Sequence, residues 1–206
     1  MKIKTGLPLL VALLLAACTN GGSHGSPSTP VTPSSPTSSS SSPSPTSTST
    51  STSTSPEAQA PARAEEVARA YYRAQSSCLV DPRNSSATCF DSVTIGTELL
   101  NMRNALVAAR QMQTRVVGDI RVESVTTGKV SLVNDTQATP PVVPTVTLRV
   151  CRDLTNFNVV DKDGKSIVPP GRKPRGVDAL SVYNYEYPDP AKWRVGYVAL
   201  DKEATC

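Results

Sequence analysis

Thr145 to Asp153 reads TVTLRVCRD, and the rest of the domain follows from it. Val146, Leu148 and Val150 alternate with Thr147, Arg149 and Cys151. That period of two marks a strand with one face on a core and the other in water. A sheet solvated on one side needs helices over the other.

Working outward, strand signals lie on both sides. Upstream, Ile120, Val122 and Val125 alternate with Arg121 and Glu123, Thr126 to Lys129 reads as a turn, and Val130 to Val133 as a returning strand. Asn134 to Pro144 is a proline-rich connection. Downstream, Val159 and Ile167 flank Asp161-Lys162-Asp163-Gly164, a hairpin signal. Pro169 to Gly176 reads as an exposed basic loop, and Leu180 to Tyr187 and Trp193 to Leu200 as a hairpin across Pro188-Asp189-Pro190.

Ahead of the strands the period lengthens to that of a helix. Val67, Ala70, Tyr71 and Ala74 form one stripe, with Pro61 placed as a first helical residue and Glu65 and Glu66 suited to the positive end of the helix. The spacing predicts a helix over Ala62 to Gln75. A turn-rich loop, CLVDPRNSSATC, spans Cys78 to Cys89. A second helix is predicted from Thr97 to Gln113, with Leu99, Met102, Leu106 and Ala109 on one face and Leu100 and Val107 beside it. Helices followed by an antiparallel sheet give the α+β class. Glu57 to Cys206, about 150 residues, is the size of one domain with its own core.

The N-terminus has a different composition. Lys2 and Lys4 precede the apolar run LPLLVALLL from Leu7 to Leu15, and Ala16 and Ala17 precede Cys18. That is the layout of a secretory signal, far short of the roughly 20 apolar residues that a membrane-spanning helix needs. Leu15-Ala16-Ala17-Cys18 resembles the lipobox of bacterial lipoproteins. The resemblance implies a signal peptide over 1–17, cleavage before Cys18, and a diacylglyceryl group, palmitate among its acyl chains, on the Cys18 sulfur. Two or more chains supply the stable anchoring that one chain does not. The expected address is the extracytoplasmic face of the cell membrane, with the lipid bilayer as partner through diacylglyceryl-Cys18.

Residues 19–56 are nearly all Ser, Thr, Pro or Gly, with Val31 the only large apolar residue. Such a chain buries too little to offset its ordering entropy and is predicted to be a disordered tether. It spans roughly 35 Å as a coil and up to about 120 Å if extended. It carries no charge, so it is no nucleic-acid or polybasic arm; a wall spacer, with O-linked sugars as an option, fits it. His24, the one histidine of the chain, lies here and makes no metal site alone. The formal charge of the whole chain is +4, and both signal lysines contribute to it, so no nucleic-acid partner is expected.

The domain keeps four cysteines, Cys78, Cys89, Cys151 and Cys206. An even count in an exported domain reads as two disulfides, of which three pairings exist. The short loop favours Cys78–Cys89, leaving Cys151–Cys206 to tie the chain end to a central strand. With no CxxC and no histidine in the domain, neither a metal nor a cofactor is expected.

With the LAAC box, the Ser/Thr/Pro tether, the helices ahead of the sheet, the strand VTLRVCRD, the following VVDKDGKSI and the closing AKWRVGYVALDKEATC, the chain resembles small actinobacterial lipoproteins with a nuclear transport factor 2-like domain. The resemblance covers most of residues 60–206 and implies a cone whose curved antiparallel sheet can enclose a pocket. Its wider family includes ketosteroid isomerase-like enzymes and many members without known activity.

An isomerase or dehydratase of that type would need a carboxylate base beside a tyrosine or second acid in a dry pocket. Asp153 and Glu186, with Tyr183, Tyr185 and Trp193, are the residues from which such a pocket would be drawn. Tyr183, Tyr185 and Tyr187 would share one strand face; core and rim packing is the plainer role for them, since tyrosine favours strands. Tyr71, Tyr72 and Tyr197 add aromatic surface. Arg172-Lys173-Pro174-Arg175 would meet anionic lipid heads or wall polymers, or simply be a solvated loop. The domain from Glu57 to Cys206 has no GxSxG, Walker-type loop or histidine-based triad. The expected function is therefore a non-catalytic binding or interaction module of the cell envelope, with an envelope protein, wall polymer or small apolar ligand as partner. The alternatives are the small-molecule enzyme and a prophage or plasmid surface-exclusion lipoprotein.

Overall fold

The computed structural model describes residues 55–206. The signal, Cys18 and the tether up to residue 54 lie outside the described residues. The domain is α+β: two helices with antiparallel, curved sheets that do not close into a barrel.

Helix α1 runs Pro56–Leu79, six residues earlier than the apolar stripe suggests. Ser55 caps it, its hydroxyl oxygen accepting from the Ala58 N–H at 3.3 Å, and Pro56 takes the first helical position. Pro61 lies inside the helix, where its missing N–H costs one backbone bond. Ala60, Ala64 and Ala68 recur every four residues on the buried face, so the helix backbone sits close to the sheet, and Tyr71 and Tyr72 complete that face. Helix α2 spans Gly96–Met112 and ends at Gln113 in the left-handed region.

Strands β2 (Arg121–Ser131), β3 (Thr145–Asp153), β5 (Arg175–Tyr183) and β6 (Arg194–Asp201) form one antiparallel sheet in the order β2-β3-β5-β6. β1 (Arg115–Val117) pairs with β4 (Asn158–Val160) separately. TVTLRVCRD is central, as its alternation requires. Val146, Leu148 and Val150 meet Val182, Leu180 and Asp178 in register, all on the helix side. With Val195, Trp193 and the α1 residues these make the core. Each fully buried Val or Leu contributes about 1.5–3 kcal/mol. A second, smaller cluster joins Cys78, Phe90 and Leu106 beneath α2.

Two strand expectations are corrected. Thr126 to Lys129 is no hairpin turn: β2 runs through it with register shifts, and the strand's polar groups are met across the irregularity. The Lys129 N–H donates to Thr147 Oγ1 at 2.7 Å, and that hydroxyl donates to the Lys129 carbonyl at 3.2 Å. The strand that would run from Leu180 to Tyr187 stops at Tyr183, because the Asn184 side chain turns the chain by bonding Asp189 O and the Glu186 N–H. The link to β6 then contains a short 3-10 turn, Pro190–Lys192. The basic loop from Pro169 to Gly176 is mostly exposed, as expected, with two of its arginines tied down. Arg172 donates to the carbonyls of Leu154 and Phe157 and lies over the Phe157 ring, while Arg175 opens β5 and pairs with Glu123 at 2.8 Å.

Cys78 joins Cys89 with Cα atoms 6.1 Å apart, and Cys151 joins Cys206 at 5.9 Å. The first closes the loop between the helices; the second fastens the chain end to β3.

Candidate functional site

The two carboxylates singled out from the sequence both reach water. Asp153, at the end of β3, accepts from the Thr155 hydroxyl and N–H at 2.5 and 2.7 Å. Those two bonds, the hydroxyl's first, hold its carboxyl below the usual aspartate range. Glu186 sits exposed in the turn after β5 and pairs with Lys192 at 3.0 Å. Tyr183 alternates with the buried Val182 and so takes the sheet face away from the helices, where its ring covers Gly196. Tyr185 is exposed, its ring 6.3 Å from that of Tyr183. Trp193 is buried on the core side, edge-on to Tyr187 at 6.5 Å. Only Tyr183 and Tyr185 meet, and no carboxylate joins them.

A different tyrosine–carboxylate array is buried between α1, α2 and the sheet. Tyr71 donates to Glu98 Oε1 at 2.5 Å, and Tyr72 donates to Asp178 Oδ2 at 2.8 Å. Arg152 donates to the same Asp178 oxygen at 2.5 Å. The two rings stand edge to face at 5.1 Å. Burial, and then the neighbouring carboxylate, push both phenols well above their ordinary pKa, so they stay protonated and donate. Glu98 lies in the first turn of α2, where the helix favours negative charge. Among the described residues no buried side-chain nitrogen or oxygen lacks a partner. The sequence held one signal for this array, a charged residue at an inward position of an apolar strand, Asp178 between Val177 and Ala179 on β5. The sequence pattern starts that strand at Leu180, which leaves Asp178 outside it; the structure starts it at Arg175.

Two hollows on the described domain are lined by other residues. The smaller, about 90 Å³, lies among Pro56, Ala60, Tyr187, Pro188 and Trp193. The larger is an open groove of about 730 Å³ between α1 and the 190–194 segment. Val67, Ala70, Val93 and Ala191 make its apolar lining; Arg63, Arg73 and Arg194 bring three cations to it, against the one carboxylate of Glu66. Arg63 and Glu66 pair at 2.7 Å, both well exposed. Arg194 Nη1 donates to the carbonyls of Ala191 and Trp193, each at 2.7 Å, which fixes that guanidinium in place. Arg73 is exposed and has no ion-pair partner among the described residues. Val67 and Ala70 read from the sequence as core stripe; they are half-buried, packing on the core and still lining the groove.

Glu123 lies close to the Cys151 and Cys206 sulfurs, but those sulfurs are bound to each other, which leaves one carboxylate already paired with arginine.

No family model matches the chain, and no curated protein matches it. Among solved structures, the intermembrane space region of chloroplast protein ARC6 is similar, at 10% identity and a TM-score of 0.44, over 66% of this chain and 92% of that one.

Proposed function

We propose that the chain is a membrane-anchored extracytoplasmic lipoprotein whose folded domain is a non-catalytic binding module, with the groove beside α1 as its binding surface. The observation that carries this is the lining of the groove: apolar side chains flanked by three guanidiniums, one of them without an ion-pair partner among the described residues. Apolar floor with a few placed polar groups is what a binding surface needs. The lipobox resemblance and the long neutral segment before Pro56 support an anchor that positions this surface away from the bilayer.

The α+β layout, with helices over one face of a curved antiparallel sheet, supports the finer assignment to nuclear transport factor 2-like cones. The interior of this sheet is filled by Tyr71, Tyr72 and the valines of β3 and β5. An isomerase would need a carboxylate facing a cavity. The only carboxylate lining either hollow is Glu66, exposed and already paired with Arg63.

The test is site-specific photocrosslinking with the full chain in its own envelope. A photoreactive residue at Ala70, in the groove, should give a discrete adduct; one at Tyr197, exposed on the opposite sheet face, should not. Equal labelling from both positions, or none from position 70, contradicts the reading.

A further inference from the structure

We infer that the groove takes an extended acidic peptide segment, one that sets carboxylates on Arg63 and Arg73 and an apolar side chain between them. This rests on the groove being the binding surface and names the chemistry of its occupant.

The first argument is charge. Three arginines face one glutamate in the groove, so its lining carries excess positive charge. The Arg63–Glu66 pair spans three residues of one exposed helix face, and such pairs contribute little to stability. An incoming carboxylate can displace Glu66 from Arg63 at small cost. Guanidinium is the group suited to this task, since it meets a carboxylate with two parallel bonds.

The second argument is spacing. Arg63 and Arg73 stand ten residues apart on α1, which is about 15 Å along the helix. An extended chain advances about 3.4 Å per residue and shows every second side chain on the same side. Carboxylates at positions one and five are therefore about 14 Å apart on one side, with the third side chain between them. Beneath that third position lie Val67 and Ala70, small enough to leave room for it. A bilayer surface suits the groove less well: a flat plane would touch the guanidiniums and leave the apolar floor uncovered.

The experiment uses the full chain and fluorescence anisotropy of labelled Glu-Ser-Val-Ser-Glu, with Gln-Ser-Val-Ser-Gln as its neutral counterpart and phosphatidylglycerol vesicles as the lipid probe. The acidic peptide should bind, more weakly as salt rises, and about tenfold or more tighter than the neutral one. Arg73→Ala and Arg63→Ala should each weaken it several-fold with the melting temperature unchanged, and Ala70→Tyr should block it. Equal binding of the two peptides, no binding of either, or arginine-dependent binding of the vesicles in place of the peptide overturns the inference. If the acidic peptide fails while Ala70→Tyr still abolishes the envelope adduct of a photoreactive residue at the exposed Arg73 position, the groove remains the binding surface and only the peptide chemistry falls.

Discussion

The hydroxyl of Tyr72 donates to Oδ2 of Asp178 at 2.8 Å, joining α1 to β5 across 106 positions of sequence. Arg152 holds the same oxygen from β3, so one buried carboxylate ties a helix to two neighbouring strands. A buried polar group is costly to leave unpaired, which makes this tie sensitive to the loss of any member.

Tyr72→Phe removes one donor and leaves Arg152 in place; it should destabilise the domain by about 1–3 kcal/mol. Asp178→Ala strands both the phenol and the guanidinium and should cost more, about 3–5 kcal/mol. Urea unfolding of the two variants checks the order. Equal and negligible losses would mean the array contributes nothing to stability.

Both buried phenols have raised pKa values, by burial first and then by Asp178 or Glu98. In the unfolded chain a tyrosine ionises near pH 10, while in the fold Tyr71 and Tyr72 keep their protons to higher pH. Their contribution to stability is therefore complete below about pH 10 and is lost progressively as pH rises above it. Unfolding free energy measured from pH 8 to 11 should fall at the alkaline end. In the Tyr71→Phe, Tyr72→Phe double variant that fall should be shallower, and phenolate absorbance of the folded protein should match the parent's.

The two disulfides close loops of different length, with separations of 11 and 55 residues. In the loop-entropy picture they contribute roughly 3 and 4 kcal/mol. Non-reducing peptide mapping should return Cys78 with Cys89 and Cys151 with Cys206. Reduction should lower the melting temperature markedly, and Cys206→Ser should lower it at least as far as Cys89→Ser.

How far the sequence reaches is clear from particular residues. TVTLRVCRD reads correctly because its inward positions, Val146, Leu148 and Val150, are all apolar and buried. Helix α1 itself reads correctly, but of the stripe Val67, Ala70, Tyr71 and Ala74 only Tyr71 is fully buried, and Ala60, Ala64, Ala68 and Tyr72 complete the buried face. Its start is also missed, since Ser55 and Pro56 look like the end of the tether until the capping bond is seen. β2 is misread because Thr126 to Lys129 has turn composition, and only the Thr147 hydroxyl across the sheet shows why the strand continues. The site is the least legible part. The groove is built from α1 and from residues about 120 positions later, and no local pattern brings Arg73 and Arg194 to one surface. Asp153 and Glu186 were plausible from alternation, yet Asp153 caps a turn and Glu186 lies past the end of its strand.

The reading of the domain as a membrane-held module rests on Cys18, and intact mass spectrometry of the mature N-terminus tests it most directly. The account predicts a chain that begins at Cys18, with a diacylglyceryl group on its sulfur and the domain recovered in the membrane fraction. A chain that begins elsewhere, or a Cys18 with a free thiol, contradicts it.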